Sequence, residues 1–318
     1  MITANHKSWF GFCLTQHEPA TLHYLFGKRK MTLVVGEQFG DRLVVLSDSM
    51  ITDRSAVRSN IIPGQLKTVV LSTNLSVSFA GRVGPALQAI RSLRSALAHN
   101  FKIEPVLDSF CTETLIHKGE VEFLVASLIP CPALYKVSNG RKHSGSNRYW
   151  IGDPEGASTL QRIIDSEYDI KIPDQEHCTA AESKLCFAFA DLIPERRVQG
   201  VGGLPVFCLG SQEAFCYQNH ASTFNYGTVN IPETEEEQEL RLTLERTGMG
   251  PSYSYTVTTS RHRGTATSGT ATIGAFFPQA ETGYIYSPID CDEPKKFYPI
   301  DLNELQRRVT AYSEQWIT

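Results

Sequence analysis

Cysteine and histidine, the residue types that most often carry metal or redox chemistry, are spread through this chain without the spacings such chemistry needs. Eight cysteines (13, 111, 131, 178, 186, 208, 216 and 291) include no C-x-x-C pair, and most adjoin apolar residues, as in LCFAF and PVFCL. They read as buried thiols of a reduced compartment rather than as a disulfide framework or a zinc site. Nine histidines form no H-E-x-x-H or similar ligand pair, so neither a metal nor a cofactor is expected. What remains is the segment KRKMTLVVGEQFGDRLVVLSDS, Lys28 to Ser49. It sets a Met-Thr pair, Met31 and Thr32, directly against a strongly patterned strand, so the pattern of a domain start lies well inside the chain.

The chain has 318 residues, enough for one large domain or two ordinary ones. Thirty basic residues face 34 acidic ones, for a formal net charge of −4. No long-range field therefore draws it to nucleic acid or anionic lipid. No apolar run approaches the roughly 20 residues needed to span a bilayer. SWFGFCL is short, is followed by Gln16-His17-Glu18-Pro19 and lacks a small-residue cleavage site, so a cytoplasmic location is expected.

Residues 1–30 show neither helical nor strand periodicity. From Thr32 the pattern changes. TLVVGEQF and RLVVLSDS are apolar-rich runs joined around Gly40-Asp41, a hairpin signal, and TVVLSTNLSVSFAG repeats the design with Asn74 near the bend. Gly84-Pro85 opens a helix in which Leu87, Ile90, Leu93 and Leu97 recur at helical spacing and Asn100 closes it. Val106 to His117 predicts a second helix on the same side. VEFLVASLI and ALYKVSN predict strands; RYWIG leads into a helix at ASTLQRIIDSEY. AESKLCFAFADLI predicts another helix, and LPVFCLG returns to strand. Strands and helices in blocks indicate an α+β layered fold, two antiparallel sheets each covered by helices. Further on, Thr234 to Glu237 forms a capping box and Gly248 stops that helix. YSYTVTTS, TATIGAFF and GYIYSP predict strands, and DLNELQRRVTAYSEQ a C-terminal helix.

The run T-L-V-V-G through D-S-M-I-T-D, then L-K-T-V-V-L and S-F-A-G ahead of the Gly-Pro helix, resembles proteasome β-subunits and the related bacterial peptidase rings. FLVASLIPCPALYKVSNG and WIGDPEGAS resemble that family's central strands and the following turn. The resemblance covers roughly residues 32–210. It implies an N-terminal nucleophile (Ntn) hydrolase with a four-layer αββα sandwich. The chain then divides into an N-terminal extension, 1–31, that domain, 32–210, and a C-terminal α/β extension, 211–318.

In that family a mature N-terminal threonine attacks an amide carbonyl while its own α-amine, directly or through water, takes the proton. The matching position is Thr32. Lys67, in GQLKTVV, matches a lysine that depresses proton affinity at the nucleophile. Asp48, in LSDS, matches the carboxylate that pairs with that lysine. Gly81 matches the residue whose N–H stabilises the oxyanion, and Thr52 one whose backbone aligns substrate as an added strand. Ile51 and Phe79 match positions near the specificity pocket; the size of Phe79 implies small or modest apolar side chains in the substrate. Taken singly, each residue also fits a plain structural role, and only their joint occurrence points to chemistry.

The chain departs from the family in two places. A Gly-Ser-Gly turn is replaced by Gly152-Asp153-Pro154-Glu155-Gly156, and the aspartate and serine before a Gly-Gly by Val198 and Val201 ahead of Gly202-Gly203. An internal threonine has only a peptide nitrogen, which is not a usable base, so something must expose Thr32. Autolysis of residues 1–31 is one route, although Met31 replaces the family's preferred glycine. Translation from Met31 is another: the small residue after it lets methionine aminopeptidase free Thr32, and Gly27-Lys28-Arg29-Lys30 is compatible with a purine-rich codon run of the kind that precedes a bacterial start. A real extension that leaves the subunit inactive is the third.

Three functions therefore stand open: a threonine peptidase active once Thr32 is N-terminal, an inactive scaffold or regulatory subunit, and an Ntn amidase for a small molecule. The resemblance further implies a homo-oligomeric ring, a peptide or protein substrate and, for unfolded chains, a partner ATPase.

Overall fold

Two alternating apolar segments fold back on each other at Gly40-Asp41. Strands β1 (Leu33–Phe39) and β2 (Arg42–Ser47) pair antiparallel from Phe39↔Arg42 to Val34↔Ser47. Gly40 has φ +63° at the first central position of the turn, where a type II′ turn takes glycine. The structure, a computed structural model, describes residues 32–49, 51–52, 59–60, 65–97, 101–166, 179–193, 198, 200–203, 205–212, 214–217, 220–225, 252–259, 273–277, 282–286, 295–298, 303–305, 307–308 and 311. Residues 1–31 and the capping box at Thr234–Glu237 lie outside them, as does Asn100, the expected end of the first helix.

The fold is α+β and built on antiparallel sheets. The first sheet adds β10 (Arg148–Gly152), β11 (Val206–Gly210) and β12 (Phe215–Tyr217) to the hairpin, in the order β10-β1-β2-β11-β12. The second is a meander of β5 (Thr68–Ser72), β6 (Leu75–Gly81), β7 (Val121–Ser127), β8 (Ala133–Ser138) and β9 (Arg141–His143). Its last turn is Asn139-Gly140, with φ of 51° and 71°, the left-handed pair of a type I′ hairpin. A two-stranded ribbon joins β3 (Ile51–Thr52) to β4 (Ser59–Asn60).

Strand alternation sends each sheet's side chains to both faces, and both faces are buried. Val34, Leu43 and Val45 of the first sheet meet Val70, Leu124 and Leu134 of the second in one apolar cluster. The other face of the second sheet, through Val77, Phe79 and Phe123, packs on α1 (Val83–Ala96) and α2 (Ile103–Ile116), where Phe110 stacks on Phe123 with ring centroids 4.2 Å apart. The other face of the first sheet, through Leu33, Val35 and Leu46, packs on α3 (Pro154–Ser166) and α4 (Ala180–Leu192). The arrangement is compatible with a sandwich. Each such fully buried side chain contributes about 1.5–3 kcal/mol.

The ends of these helices are locally encoded. Pro154 occupies the first position of α3, where its missing N–H is no loss, and Asp153 before it accepts the Gly156 N–H at 2.9 Å. Thr179 and Glu182 form a reciprocal capping box on α4, with N···O distances of 3.2 and 2.6 Å.

The first sheet continues past residue 210 into β12. A third sheet follows in the order β13 (His220–Asn225), β14 (Ser252–Thr259), β15 (Ile273–Phe277), β16 (Thr282–Tyr286) and β17 (Lys295–Phe297). Tyr284 and Tyr286 of β16 belong to the cluster between the first two sheets. Residues 303–305, 307–308 and 311 are helical, within the expected C-terminal helix.

Cysteine burial is less uniform than the sequence suggests: among the described residues Cys208 alone is fully buried, and Cys131 is exposed in the β7–β8 connection. No group of three or more potential metal ligands occurs among the described residues. No described helix is long and apolar enough to cross a membrane.

Candidate active site

Where the two sheets approach each other, three polar side chains are buried together. Thr32, Asp48 and Lys67 retain 4%, 0% and 1% of their surface. Thr32 immediately precedes β1 and Asp48 immediately follows β2, so the hairpin register that pairs Val34 with Ser47 brings them side by side. The Leu33 N–H donates to Asp48 Oδ1 at 3.0 Å, and the Asp48 N–H donates back to the Leu33 carbonyl at 3.2 Å. Lys67 comes from the other sheet, one residue ahead of β5. Its carbonyl accepts the Phe79 N–H at 3.0 Å, which fixes its backbone against β6.

Lys67 Nζ donates to Thr32 Oγ1 at 2.8 Å and lies 3.0 Å from each oxygen of Asp48. Asp48 Oδ2 also accepts the Gly202 N–H at 3.3 Å. An ammonium taken this far out of water survives only with a partner, and Asp48 is that partner. Burial holds the Lys67 pKa below its ordinary value, against the pull of Asp48. Burial pushes the Asp48 carboxyl up, opposed by Lys67 and by the Leu33 and Gly202 N–H groups.

Backbone geometry around Thr32 depends on two glycines. Gly152 has φ +94°, and a Cβ there would sit 1.9 Å from the Thr32 carbonyl oxygen. The next N–H, of Asp153, donates to that oxygen at 2.7 Å. Gly81 has φ +99°, and a Cβ on it would meet the Glu120 carbonyl oxygen at 1.9 Å. Its neighbour Ala80 lies against Gly152, 3.3 Å from the position of that same absent Cβ.

The remaining candidates are placed differently. Phe79 is fully buried among the side chains between β6 and helices α1 and α2, so its side chain exposes no surface to a substrate. Ile51 and Thr52 form β3 and pair with Asn60 and Ser59. Val198 and Val201, ahead of Gly202-Gly203, are buried in the apolar cluster under α4.

Several polar groups near the triad were not singled out from sequence. Thr68 Oγ1 donates to Ser47 Oγ at 2.9 Å and lies 2.9 Å from Ser78 Oγ, while Tyr217 donates to the Thr68 carbonyl at 2.5 Å. Glu122, on β7, accepts the Gly152 N–H at 3.0 Å. Their signal is a small hydroxyl or one acid at an inward position of an apolar strand. Asp153-Pro154 carries a plainer one, an N-cap before a first-turn proline.

The arrangement suits activation of the Thr32 hydroxyl. A cation 2.8 Å from Oγ1 stabilises the alkoxide over the alcohol, and Asp48 fixes that cation in place. No protein-family model matches the chain, and a comparison with curated proteins finds no match.

Proposed function

We propose that this chain is a threonine-nucleophile amide-bond hydrolase, a peptidase of the proteasome-like Ntn type with the four-layer αββα sandwich, active when Thr32 carries a free α-amine. The observation that carries the reading is the buried contact of Lys67 Nζ with Thr32 Oγ1 at 2.8 Å and with both Asp48 oxygens at 3.0 Å. The helix-covered sheets support the architecture.

In this reading Thr32 Oγ1 attacks the scissile carbonyl carbon and its proton passes to the Thr32 α-amine. The ammonium of Lys67 offsets the charge that develops on Oγ1. The carbonyl oxygen becomes an oxyanion, held by the Gly81 N–H. Collapse of the tetrahedral intermediate breaks the C–N bond, and the leaving amine takes the proton from the α-ammonium. A water then gives its proton to the α-amine and attacks the ester on Thr32, releasing the acid and restoring the hydroxyl. Thr52 and Ile51 would align an extended peptide beside β3, and a homo-oligomeric ring with a partner ATPase would deliver unfolded chains. While Met31 remains attached, the nitrogen of Thr32 is a peptide nitrogen and the first proton transfer has no acceptor.

The burial of Val198 and Val201 where the family carries an aspartate and a serine favours a second reading, a catalytically silent scaffold of the same fold. Turnover separates the two. A chain beginning at Thr32 is assayed on short peptide amides and on a non-peptide amide, beside the chain that retains residues 1–31. Peptide cleavage by the first chain alone supports the peptidase. Cleavage of the non-peptide amide alone makes it a small-molecule amidase, and turnover of neither makes it the scaffold.

A further inference from the structure

We infer that Glu122 is a positioning residue for the Thr32 nucleophile, acting through Gly152 and Asp153; the inference rests on the reading of Thr32 given above. Leu33 and Gly152 face each other across β1 and β10. The backbone groups of Leu33 are turned to the other side, where its carbonyl takes the Asp48 N–H and its own N–H meets Asp48 Oδ1. In an antiparallel ladder the Gly152 N–H must then point away from β1. Among the described residues β10 is the outermost strand of its sheet, and none of them adds a strand beyond it to accept that N–H.

Glu122 fills that need from the opposite sheet. It is 7% exposed, lies across from Ala80 in the β6–β7 register, and accepts the Gly152 N–H at 3.0 Å through Oε2. The carboxylate thus ties the end of β10 to the start of β7, which pairs with the end of β6 at Ala80 and Gly81. With Gly152 held, the Asp153 N–H stays on the Thr32 carbonyl at 2.7 Å, and that carbonyl sets the direction from which the hydroxyl meets Lys67. Misplacing a reacting group by about 1 Å can cost 10²-fold in rate.

Substitutions separate positioning from charge. Glu122→Gln keeps an acceptor for the Gly152 N–H without the charge, whereas Glu122→Asp keeps the charge and withdraws the acceptor by one methylene. In a chain beginning at Thr32, the rate at which a threonine-directed β-lactone acylates Thr32 at saturation is expected to stay within about 3-fold of wild type in E122Q and to fall about 10- to 100-fold in E122D, the half-saturating lactone concentration being unchanged. Amide hydrogen exchange at Gly152 and Asp153 is expected to remain slow in E122Q and to quicken in E122D. Equal rates and equal exchange in the two variants overturn the inference, as does a loss in E122Q matching that in E122D. If the wild-type chain itself forms no adduct, the hydrolase reading fails separately. Exchange at Asp153 then decides whether Glu122 positions Thr32: quickening in E122D alone supports it, and no change overturns it.

Discussion

Lys67 Nζ lies 2.8 Å from Thr32 Oγ1, although 35 positions separate them in the chain and they belong to different sheets. The contact depends on the whole packing of one sheet on the other, so it reports on fold and chemistry together.

Removing the lysine is expected to cost more than its own contacts. Lys67→Met leaves Asp48 charged and buried without its cation, a loss of about 3–5 kcal/mol in unfolding free energy. Lys67→Met with Asp48→Asn removes both charges and should recover a large part of that loss. Urea titrations of the two single variants and the double variant measure the recovery, and neither Lys67 variant should be acylated at Thr32.

The pH dependence of acylation follows from the same pair. Burial lowers the Lys67 pKa and Asp48 raises it back, so Asp48→Asn removes the raising influence. Catalysis that needs the ammonium is present below the Lys67 pKa and is lost as pH rises through it. The alkaline limb of the acylation profile is therefore expected to move to lower pH in Asp48→Asn, and a limb that stays in place would mean that another group sets it.

Gly152 should tolerate no side chain. Gly152→Ala puts a Cβ 1.9 Å from the Thr32 carbonyl oxygen at φ +94°, so the backbone must shift, at a cost of about 1–3 kcal/mol. Acylation of Thr32 is expected to fall at least about 10-fold, because the displaced carbonyl belongs to the proposed nucleophile itself. Gly84→Ala is the control: it lies in α1, where no heavy atom beyond its chain neighbours and its own helix's backbone comes within 4 Å of the added Cβ, and because Pro85 follows and opposes the helical gain, stability should change by less than about 1 kcal/mol.

Asp153 is expected to matter to α3 more than to the reaction. Asp153→Ala removes the acceptor of the Gly156 N–H and costs about 1 kcal/mol, whereas Asp153→Asn keeps the cap. Its backbone N–H, which holds Thr32, survives in both variants. Thermal melts should separate Asp153→Ala from Asp153→Asn while their acylation rates remain close.

The elements that position Thr32, Asp48 and Lys67 were readable because each carries a strong local signal. Alternating runs around Gly40-Asp41 marked the first hairpin, and helical spacing of Leu87, Ile90 and Leu93 marked α1. What stayed hidden lacks such signals. β9 reads Arg-Lys-His and is fully exposed, so it has no apolar pattern, although Asn139-Gly140 before it is a hairpin turn. The Thr68, Ser47 and Ser78 hydroxyls look like ordinary strand positions until two sheets face each other. Glu122 is one acid in an apolar strand, and its bond to the Gly152 N–H shows only once β10 is placed against β7. Phe79 was placed near a pocket by resemblance, whereas the parity of β6 turns it to the helices.

The central claim, that Thr32 with a free amine is the nucleophile, is tested most directly by mass spectrometry of a chain beginning at Thr32 after treatment with the β-lactone. One added lactone mass is expected, mapped to Thr32, absent from Thr32→Ala and absent from the chain that retains residues 1–31. An unmodified Thr32 in the chain that begins with it, or an adduct that persists in Thr32→Ala, would contradict it.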